Sequence, residues 1–84
     1  MERAHRFEVR RVAVAPGGTR PYDDAEWRDA LVFVVCGRIE LEGLSGRRRT
    51  FEPGAVLWLV GLPLRALHNH GRESAVMVAF TRQR

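Results

Sequence analysis

The sequence contains no lysine, and all fourteen of its basic residues are arginine. Without lysine, no Schiff base with a carbonyl substrate can form on a side-chain amine, so enzymes that use a lysine in this way are excluded. The formal net charge of +4 would suit a nucleic-acid partner. The arginines are scattered, however, except at 47–49 beside a turn, and they lack the interleaved aromatic residues of nucleic-acid-binding surfaces. We therefore expect no nucleic-acid partner.

The sequence has a single cysteine, Cys36, so it cannot form a disulfide within the chain. We expect a cytoplasmic protein in which Cys36 is a buried apolar residue, since nothing in the sequence places a histidine beside its thiol. The N-terminal residues lack the apolar stretch of a signal peptide, and no apolar run approaches the roughly 20 residues of a membrane span. We expect no membrane partner.

Short apolar segments separated by glycine- and proline-containing turns run along the whole chain. Its 84 residues suffice for one small domain. About eight short strands with a turn between each pair predict an all-β fold, an antiparallel sandwich or barrel. The first strand changes its apolar parity near Arg10 and Arg11, which predicts a bulge or a twist. The predicted strands are 7–15, 31–36, 39–44, 48–51, 55–60, 64–69 and 74–81. The polar segment 21–29 is expected to be a short strand or irregular edge, although its propensities also allow a helical turn.

Two of these segments, 31–36 and 55–60, are almost continuously apolar, as expected of strands covered on both faces. Trp58 lies within the second segment, and we expect it in the core. The last strand, 74–81, is apolar on both faces as well. It is either enclosed within the barrel or covered by a second subunit. A small domain with this much apolar surface is expected to form a homodimer.

Two sets of spaced residues show what the fold resembles. Gly18, Asp24, Glu26, Ala30 and Gly37 follow the spacing of the motif G-x5-H-x-H-x3-E-x6-G. The second set follows the motif G-x5-P-x-G-x2-H-x3-N and consists of Gly54, Val60, Leu62, Arg65 and Asn69. The chain thus resembles the cupin family over roughly residues 12–80. The resemblance implies a single small β-barrel or jelly roll.

The resemblance also implies where a metal would be bound. Metal-dependent cupins use three histidines and a glutamate, and these positions hold Asp24, Glu26, Arg65 and Ala30 here. A guanidinium repels a divalent cation and cannot lose its proton to become a ligand. We therefore expect neither a metal nor another cofactor at this position.

The substitutions predict an ion pair, Asp24 or Glu26 with Arg65, where the family has its metal. This pair either closes the barrel mouth or, with Asn69 on the same face, binds a small ligand between the walls formed by Tyr22 and Trp27. His68 and His70 alternate with these positions, so we expect them on the outer face and solvated.

Three functions remain open. The first is a metal-free cupin that binds or senses a small polar or anionic molecule in the barrel through Asp24, Glu26, Arg65 and Asn69. The second is a metal-independent isomerase, epimerase or lyase with Asp24 or Glu26 as the general base. The third is a structural or interaction module whose barrel is filled by its own side chains.

Overall fold

The computed structural model describes residues 7–59 and 61–82, which form two four-stranded antiparallel sheets. The elements are β1 (Phe7–Val14), β2 (Thr19–Pro21), α1 (Asp24–Trp27), β3 (Ala30–Cys36), β4 (Ile39–Gly43), β5 (Arg48–Phe51), β6 (Val56–Trp58), β7 (Leu64–His68) and β8 (Ala75–Arg82). Sheet 1 has the strand order β1-β8-β3-β6, and sheet 2 has the order β2-β7-β4-β5. The predicted all-β antiparallel fold is confirmed. Two expectations lie outside the described residues. They concern residues 1–6, where no signal peptide is expected, and Val60, which stands at the proline position of the second motif.

Alternation along the strands gives both sheets an apolar inner face. Val12 and Val14 of β1, Val32 and Val34 of β3, and Ile39 of β4 are all buried. They belong to one hydrophobic core, which also includes Leu67, Met77 and the fully buried Trp27. A face that buries every second residue is the pattern of a two-layer β fold. Within the described part of the chain, no helix has the length and apolar character needed to cross a membrane.

Of the bulge or twist predicted for β1, the bulge is wrong. Strand β1 pairs with β8 in one unbroken register from Phe7 to Val14, so Phe7 and Val9 simply point away from the core. The pairing shifts instead in β3, between Val34 and Cys36, and in β4, between Glu42 and Gly43. The shift in β3 leaves Cys36 exposed, which corrects the expectation that this thiol is buried.

Strand β6 is also more exposed than its sequence predicts. Leu57 is buried, but Trp58 and Val56 on either side of it are 53% and 54% exposed. The core position predicted for Trp58 is therefore wrong in this structure of one copy. The reason is that β6 is an edge strand of sheet 1 and has cover on one face alone.

The segment 21–29 contains a single helical turn, which is the alternative that its propensities allowed and not the expected short strand or irregular edge. Asp23 caps this turn by accepting a hydrogen bond from the backbone nitrogen of Ala25. Such a cap satisfies one of the free N–H groups at a helix start. The turn carries Trp27 into the core and leaves Asp24 exposed.

Gly37, the last residue of the first motif, is required by the backbone. Its φ is +68°, in the left-handed region that favours glycine. A Cβ at this position would also lie 2.7 Å from the carbonyl oxygen of Ser74 and 2.9 Å from Cα of Ala75. The turn between β3 and β4 can therefore pass the start of β8 only without a side chain.

Candidate functional site

The structure separates the residues of the predicted ion pair. Glu26 pairs with the guanidinium of Arg20, and its Oε2 lies 3.5 Å from Nη1 of Arg10. The Nε of Arg65 lies 3.8 Å from Oε2 of Glu42, and its Nη2 donates to the carbonyl of Leu44 at 3.3 Å. No ion pair joins Arg65 to Asp24 or Glu26 among the described residues, so the prediction of that pair is wrong.

The backbone explains why the two segments meet while their side chains do not. The backbone nitrogen of Tyr22 donates to the carbonyl oxygen of Arg65 at 2.9 Å, so the segments are neighbours as the motif spacing implies. Arg65 stands beside the register shift at Glu42 and Gly43 and is exposed. Its side chain therefore turns away from the interior, where strict alternation with Leu67 and Asn69 would have put it.

Tyr22 and Trp27 belong to the barrel wall and core. Trp27 is fully buried, and the guanidinium carbon of Arg10 lies 5.5 Å from the centre of its ring. The hydroxyl of Tyr22 donates to Asp24 at 3.2 Å. Burial and this hydrogen bond raise the pKa of Tyr22 to about 12, so its phenol stays protonated at neutral pH. Tyr22 is partly buried and packs against the core that includes Trp27.

Asn69 is the buried polar residue of the described core, at 1% exposure. Its amide nitrogen donates to the carbonyls of Val14 at 2.9 Å and Glu73 at 2.7 Å, and its side-chain oxygen accepts from the nitrogen of Gly71 at 2.8 Å. Its backbone also exchanges hydrogen bonds with Gly17 and Gly18. Because both amide protons are used, Asn69 ties the end of β7 to β1 and has no donor left for a ligand.

Four side chains on the outer face of sheet 2 form a group that we call the outer histidine cluster: Glu40, Glu42, His68 and His70. Nε2 of His68 lies 2.7 Å from Oε1 of Glu42, and its Nδ1 lies 2.9 Å from Oγ1 of Thr19. Nε2 of His70 lies 2.8 Å from Oε1 of Glu40. The two imidazole rings stack with their centres 5.7 Å apart. The predicted outer position of both histidines is confirmed, but they are paired with carboxylates and not simply solvated.

The cluster lowers the pKa of both glutamates below their usual range. The hydrogen bond from His70 is the main cause for Glu40, and that from His68 is the main cause for Glu42. Arg48 adds to both effects, with Nη1 2.8 Å from Oε1 of Glu40 and Nη2 3.7 Å from Oε2 of Glu42. Donors and positive charge favour the ionised carboxylate, so both glutamates carry full negative charge at neutral pH.

A cavity of about 170 Å³ opens beside the cluster, and we call it the polar basin. Its lining residues come from the turn before β4, from β4 and β5, and from the end of β7: Arg38, Glu40, Thr50, His68, His70 and Gly71. Among the described residues, the side chains of Arg38 and Thr50 make no hydrogen bond or ion pair. Within the described part of the chain, the basin therefore combines the unpaired guanidinium of Arg38 and the unpaired hydroxyl of Thr50 with Nδ1 of His70, whose Nε2 is bonded to Glu40.

Solved structures of known proteins share this fold. A cupin 2 conserved barrel domain protein from Salinispora arenicola is similar at a TM-score of 0.63 and 28% identity, over 88% of this chain and 60% of that one. The cupin_2 domain of an XRE family transcriptional regulator from Enterobacter cloacae is similar at a TM-score of 0.62 and 20% identity, over 93% of this chain and 83% of that one. A cupin domain from Bordetella pertussis is similar at a TM-score of 0.65 and 17% identity, over 100% of this chain and 88% of that one. The chain belongs to the cupin superfamily.

No family model and no curated protein sequence matches this cupin. The chain spans 60% of the length of the Salinispora protein. The structural neighbours therefore support the fold and the superfamily, and they do not extend to a ligand or an activity.

The metal position of the family does not fit a metal in this cupin. Ala30 offers no ligand atom, Glu26 is held by two guanidiniums, and Arg65 points to the outside. Within residues 7–59 and 61–82, no group of three or more histidine, cysteine, aspartate or glutamate side chains is placed to hold a metal ion. The residues present therefore disagree with the metal chemistry of the family.

The polar basin was not predicted from the sequence, although its signals are visible there. The alternation of Glu40 and Glu42 with Ile39 and Leu41 indicates an outer face, and so does the parity of His68 and His70. The missing information was that β4 and β7 are paired, with Glu40 opposite His68. Strand pairing over such a sequence distance is a property of the fold and cannot be obtained from the alternation alone.

Proposed function

We propose that this cupin binds a small oxyanion, a carboxylate or a phosphate, in the polar basin on the outer face of sheet 2. The observation that carries the proposal is the pair of free donors, Arg38 and Thr50, in the wall of a cavity of about 170 Å³. The proposal keeps the anionic ligand expected from the sequence and moves its site from the barrel interior to the outside.

The interior is a poor place for a polar ligand. Among the described residues, the buried ones are apolar apart from Asn69, whose two amide protons are already donated to backbone carbonyls. The buried N–H groups without a hydrogen-bond partner in this part of the chain are Nε of Arg20 and Nε1 of Trp27, and two such donors are too few to replace the hydration that an anion loses on transfer into apolar surroundings. Glu26 is likewise held by Arg10 and Arg20, so its carboxylate is not free to act as a general base. Binding at the basin is therefore favoured over catalysis in the barrel.

The basin has the size and the donors for a small oxyanion. A liquid water molecule takes up roughly 30 Å³, so the cavity has room for a ligand of several heavy atoms. The guanidinium of Arg38 offers two parallel N–H groups, which match the two oxygens of a carboxylate or phosphate. Thr50 adds a hydroxyl donor on the neighbouring strand β5.

The charge around the basin is compatible with an anion despite the glutamate in its wall. Oε1 of Glu40 accepts from both His70 and Arg48, so cationic or N–H donors surround its negative charge. Arg38 has no such counter-charge among the described residues. An oxyanion would provide one, which is the arrangement that oppositely charged groups favour.

The proposal is tested by titrating the protein with inorganic phosphate and with acetate while amide and imidazole NMR signals are recorded. We expect saturable shifts at His70, Thr50 and Gly71, because these residues line the basin. Ionic strength is held constant with chloride, since screening by added salt would weaken any exposed charge pair.

The matched control compares two arginines whose side chains make no hydrogen bond or ion pair within residues 7–59 and 61–82. Arg38→Gln removes the guanidinium from the basin, and Arg47→Gln removes the same charge from the turn at the far end of β4. We expect Arg38→Gln to abolish the saturable shifts and Arg47→Gln to retain them. Equal behaviour of the two variants, or shifts confined to Tyr22 and Glu26, would contradict an anion site in the basin.

A further inference from the structure

The outer face of sheet 1 is apolar across all four strands. Val9, Phe80, Leu31 and Trp58 lie side by side in one row of the register, from β1 through β8 and β3 to β6. The next row contains Val78, Phe33 and Val56, with Arg11 at its β1 end. We call these two rows, together with Phe7, the apolar face.

The exposure of this face is large for a surface in contact with water. Phe7 is 59% exposed, Val9 58%, Val56 54%, Trp58 53% and Phe80 36%. At its centre the rings of Phe33 and Phe80 contact each other edge to face, with their centres 5.4 Å apart. An exposed apolar patch of this extent marks an interaction site on a folded protein.

We propose that a second copy of this chain covers the apolar face, so that two sheets 1 pack against each other in a homodimer. Aromatic side chains offer about 150 to 250 Å² each, so the face exposes on the order of 600 Å² per copy. Two copies would then bury roughly 1,200 Å², above the approximately 1,000 Å² expected of a specific interface. The area fits a dimer with one flat sheet from each subunit.

The shape and charge of the face favour a second copy over a different partner. Two β-sheets pack face to face about 10 Å apart through interdigitating apolar side chains, and the inner faces of sheets 1 and 2 already share one hydrophobic core in this way. A two-fold axis brings the same patch from each subunit together, which is the commonest arrangement of soluble oligomers. The one charged residue in the two rows, Arg11, lies on the edge strand β1, where its long side chain can carry the guanidinium beyond the rim of a dimer, as a shorter charged side chain could not. The apolar face is also on the sheet that does not contain the polar basin, so this inference does not depend on the proposed function.

The dimer is tested by sedimentation velocity over a range of protein concentrations. We expect a species of about twice the 9.6 kDa chain mass at micromolar concentration. The variant Val9→Glu/Val56→Glu places one carboxylate on each edge strand of the face, at residues more than half exposed, so folding of one copy is not disturbed. We expect this variant to be monomeric, with a dissociation constant of the dimer at least about 100-fold higher. Because the two-fold axis places the same patch of both subunits in the interface, the dimer would have to bury each new carboxylate from both copies.

The matched controls introduce the same charge at exposed apolar residues away from the face. Leu44→Glu and Leu62→Glu replace side chains that are 56% and 44% exposed, and we expect both to remain dimeric. The fluorescence of Trp58 gives a second measurement, since dimerisation should protect it from acrylamide while Trp27 is buried in either state. A monomeric unmodified protein, a dimer that survives the double substitution, or a dimer dissociated equally by Leu44→Glu would overturn the inference. Binding of the monomer to lipid vesicles instead would overturn it as well.

Discussion

The two sheets have similar inner faces and very different outer faces. The outer face of sheet 2 carries glutamates, histidines and arginines that pair with one another, as in the bond between His68 and Glu42. The outer face of sheet 1 carries exposed valine, phenylalanine and tryptophan side chains, which are apolar on the surface that they present. A β-sheet that ends in water has an alternating polar face. Sheet 2 therefore presents a polar surface to water, whereas sheet 1 presents an apolar one, which we propose is covered by a second copy.

The same contrast distinguishes the two tryptophans, and exchanging each for alanine is the strongest test of it. Trp27→Ala removes a fully buried side chain from the core, so we expect the free energy of unfolding to fall by about 3 to 5 kcal/mol. Trp58→Ala removes a side chain that is 53% exposed in one copy. In the monomeric Val9→Glu/Val56→Glu background we expect it to cost less than about 1 kcal/mol.

Urea denaturation of both tryptophan variants in that background provides the measurement, because the linear dependence on denaturant gives each free energy directly. Equal losses for Trp27→Ala and Trp58→Ala would show that the apolar face supports the fold of one subunit. The distinction between a core and an interface would then be wrong.

A second test concerns the residue that joins the two sheets. Asn69→Ala leaves the carbonyls of Val14 and Glu73 and the nitrogen of Gly71 without their partner. An unsatisfied buried polar group costs about 1 to 3 kcal/mol, and we expect a total loss of stability of about 2 to 4 kcal/mol. Thermal and urea denaturation would measure it, with Asn69→Asp as the comparison that keeps the acceptor and loses the donor. A stability within about 0.5 kcal/mol of the unmodified protein would show that Asn69 does not hold β7 to β1.

This role of Asn69 explains how much of the structure the sequence could predict. The retained motif residues Gly18, Gly37 and Asn69 serve the backbone, so their spacing predicts the fold even though the metal ligands are absent. Short strands with alternating apolar residues predicted β4, β5 and β7 within one residue of each end. Local pattern and motif spacing are sufficient for these features, because both depend on neighbouring residues.

The site could not be predicted in the same way. Placing Arg65 opposite Glu26 assumed regular alternation through β7, and the register shift beside Glu42 turns the side chain outward. The position of Trp27 depends on the helical turn α1, which the polar sequence of 21–29 left open. The neighbours of Glu40 depend on the pairing of β4 with β7. Each of these features is set by tertiary contacts, which the alternation of single strands does not contain.

The carboxylates on the outer face of sheet 2 should make the free energy of unfolding depend on pH in the acid range. The folded-state pKa values of Glu40 and Glu42 are below the ordinary 4.5, so their contribution to stability is present above about pH 4.5 and is lost as the pH falls through the folded values. Replacing both histidines, as His68→Phe/His70→Phe, removes the main cause of the lowered pKa values. We expect a smaller loss of stability on this acid limb, measured by urea denaturation from pH 6 downward to about pH 3.

The control for this experiment is Arg28→Gln, which removes a positive charge near the end of α1 and away from the cluster. We expect its acid limb to match that of the unmodified protein. An unchanged acid limb in the histidine variant would mean that the two carboxylates are not held by the imidazoles in solution.

The smallest expected effect on stability is at the polar basin. The side chain of Arg38 makes no hydrogen bond or ion pair among the described residues, so Arg38→Gln should change the free energy of unfolding by no more than about 0.5 kcal/mol. The same substitution should abolish phosphate binding, and this combination separates a binding residue from a structural one. Thermal denaturation with and without phosphate would measure both, since a ligand that binds the folded state raises its apparent stability. A large loss of stability without phosphate would assign Arg38 to the structure instead.

The contrast between the two outer faces is tested most directly by adding a soluble paramagnetic probe to the unmodified protein and measuring NMR relaxation at each residue. We expect fast relaxation at Thr50 and His70 of the polar basin and little at Trp58, Val56 and Val9, because a second copy covers these apolar residues. Equally fast relaxation at the residues of both faces would contradict the assignment of sheet 1 to an interface. Trp58 would then be as accessible to the probe as its 53% exposure in one copy implies.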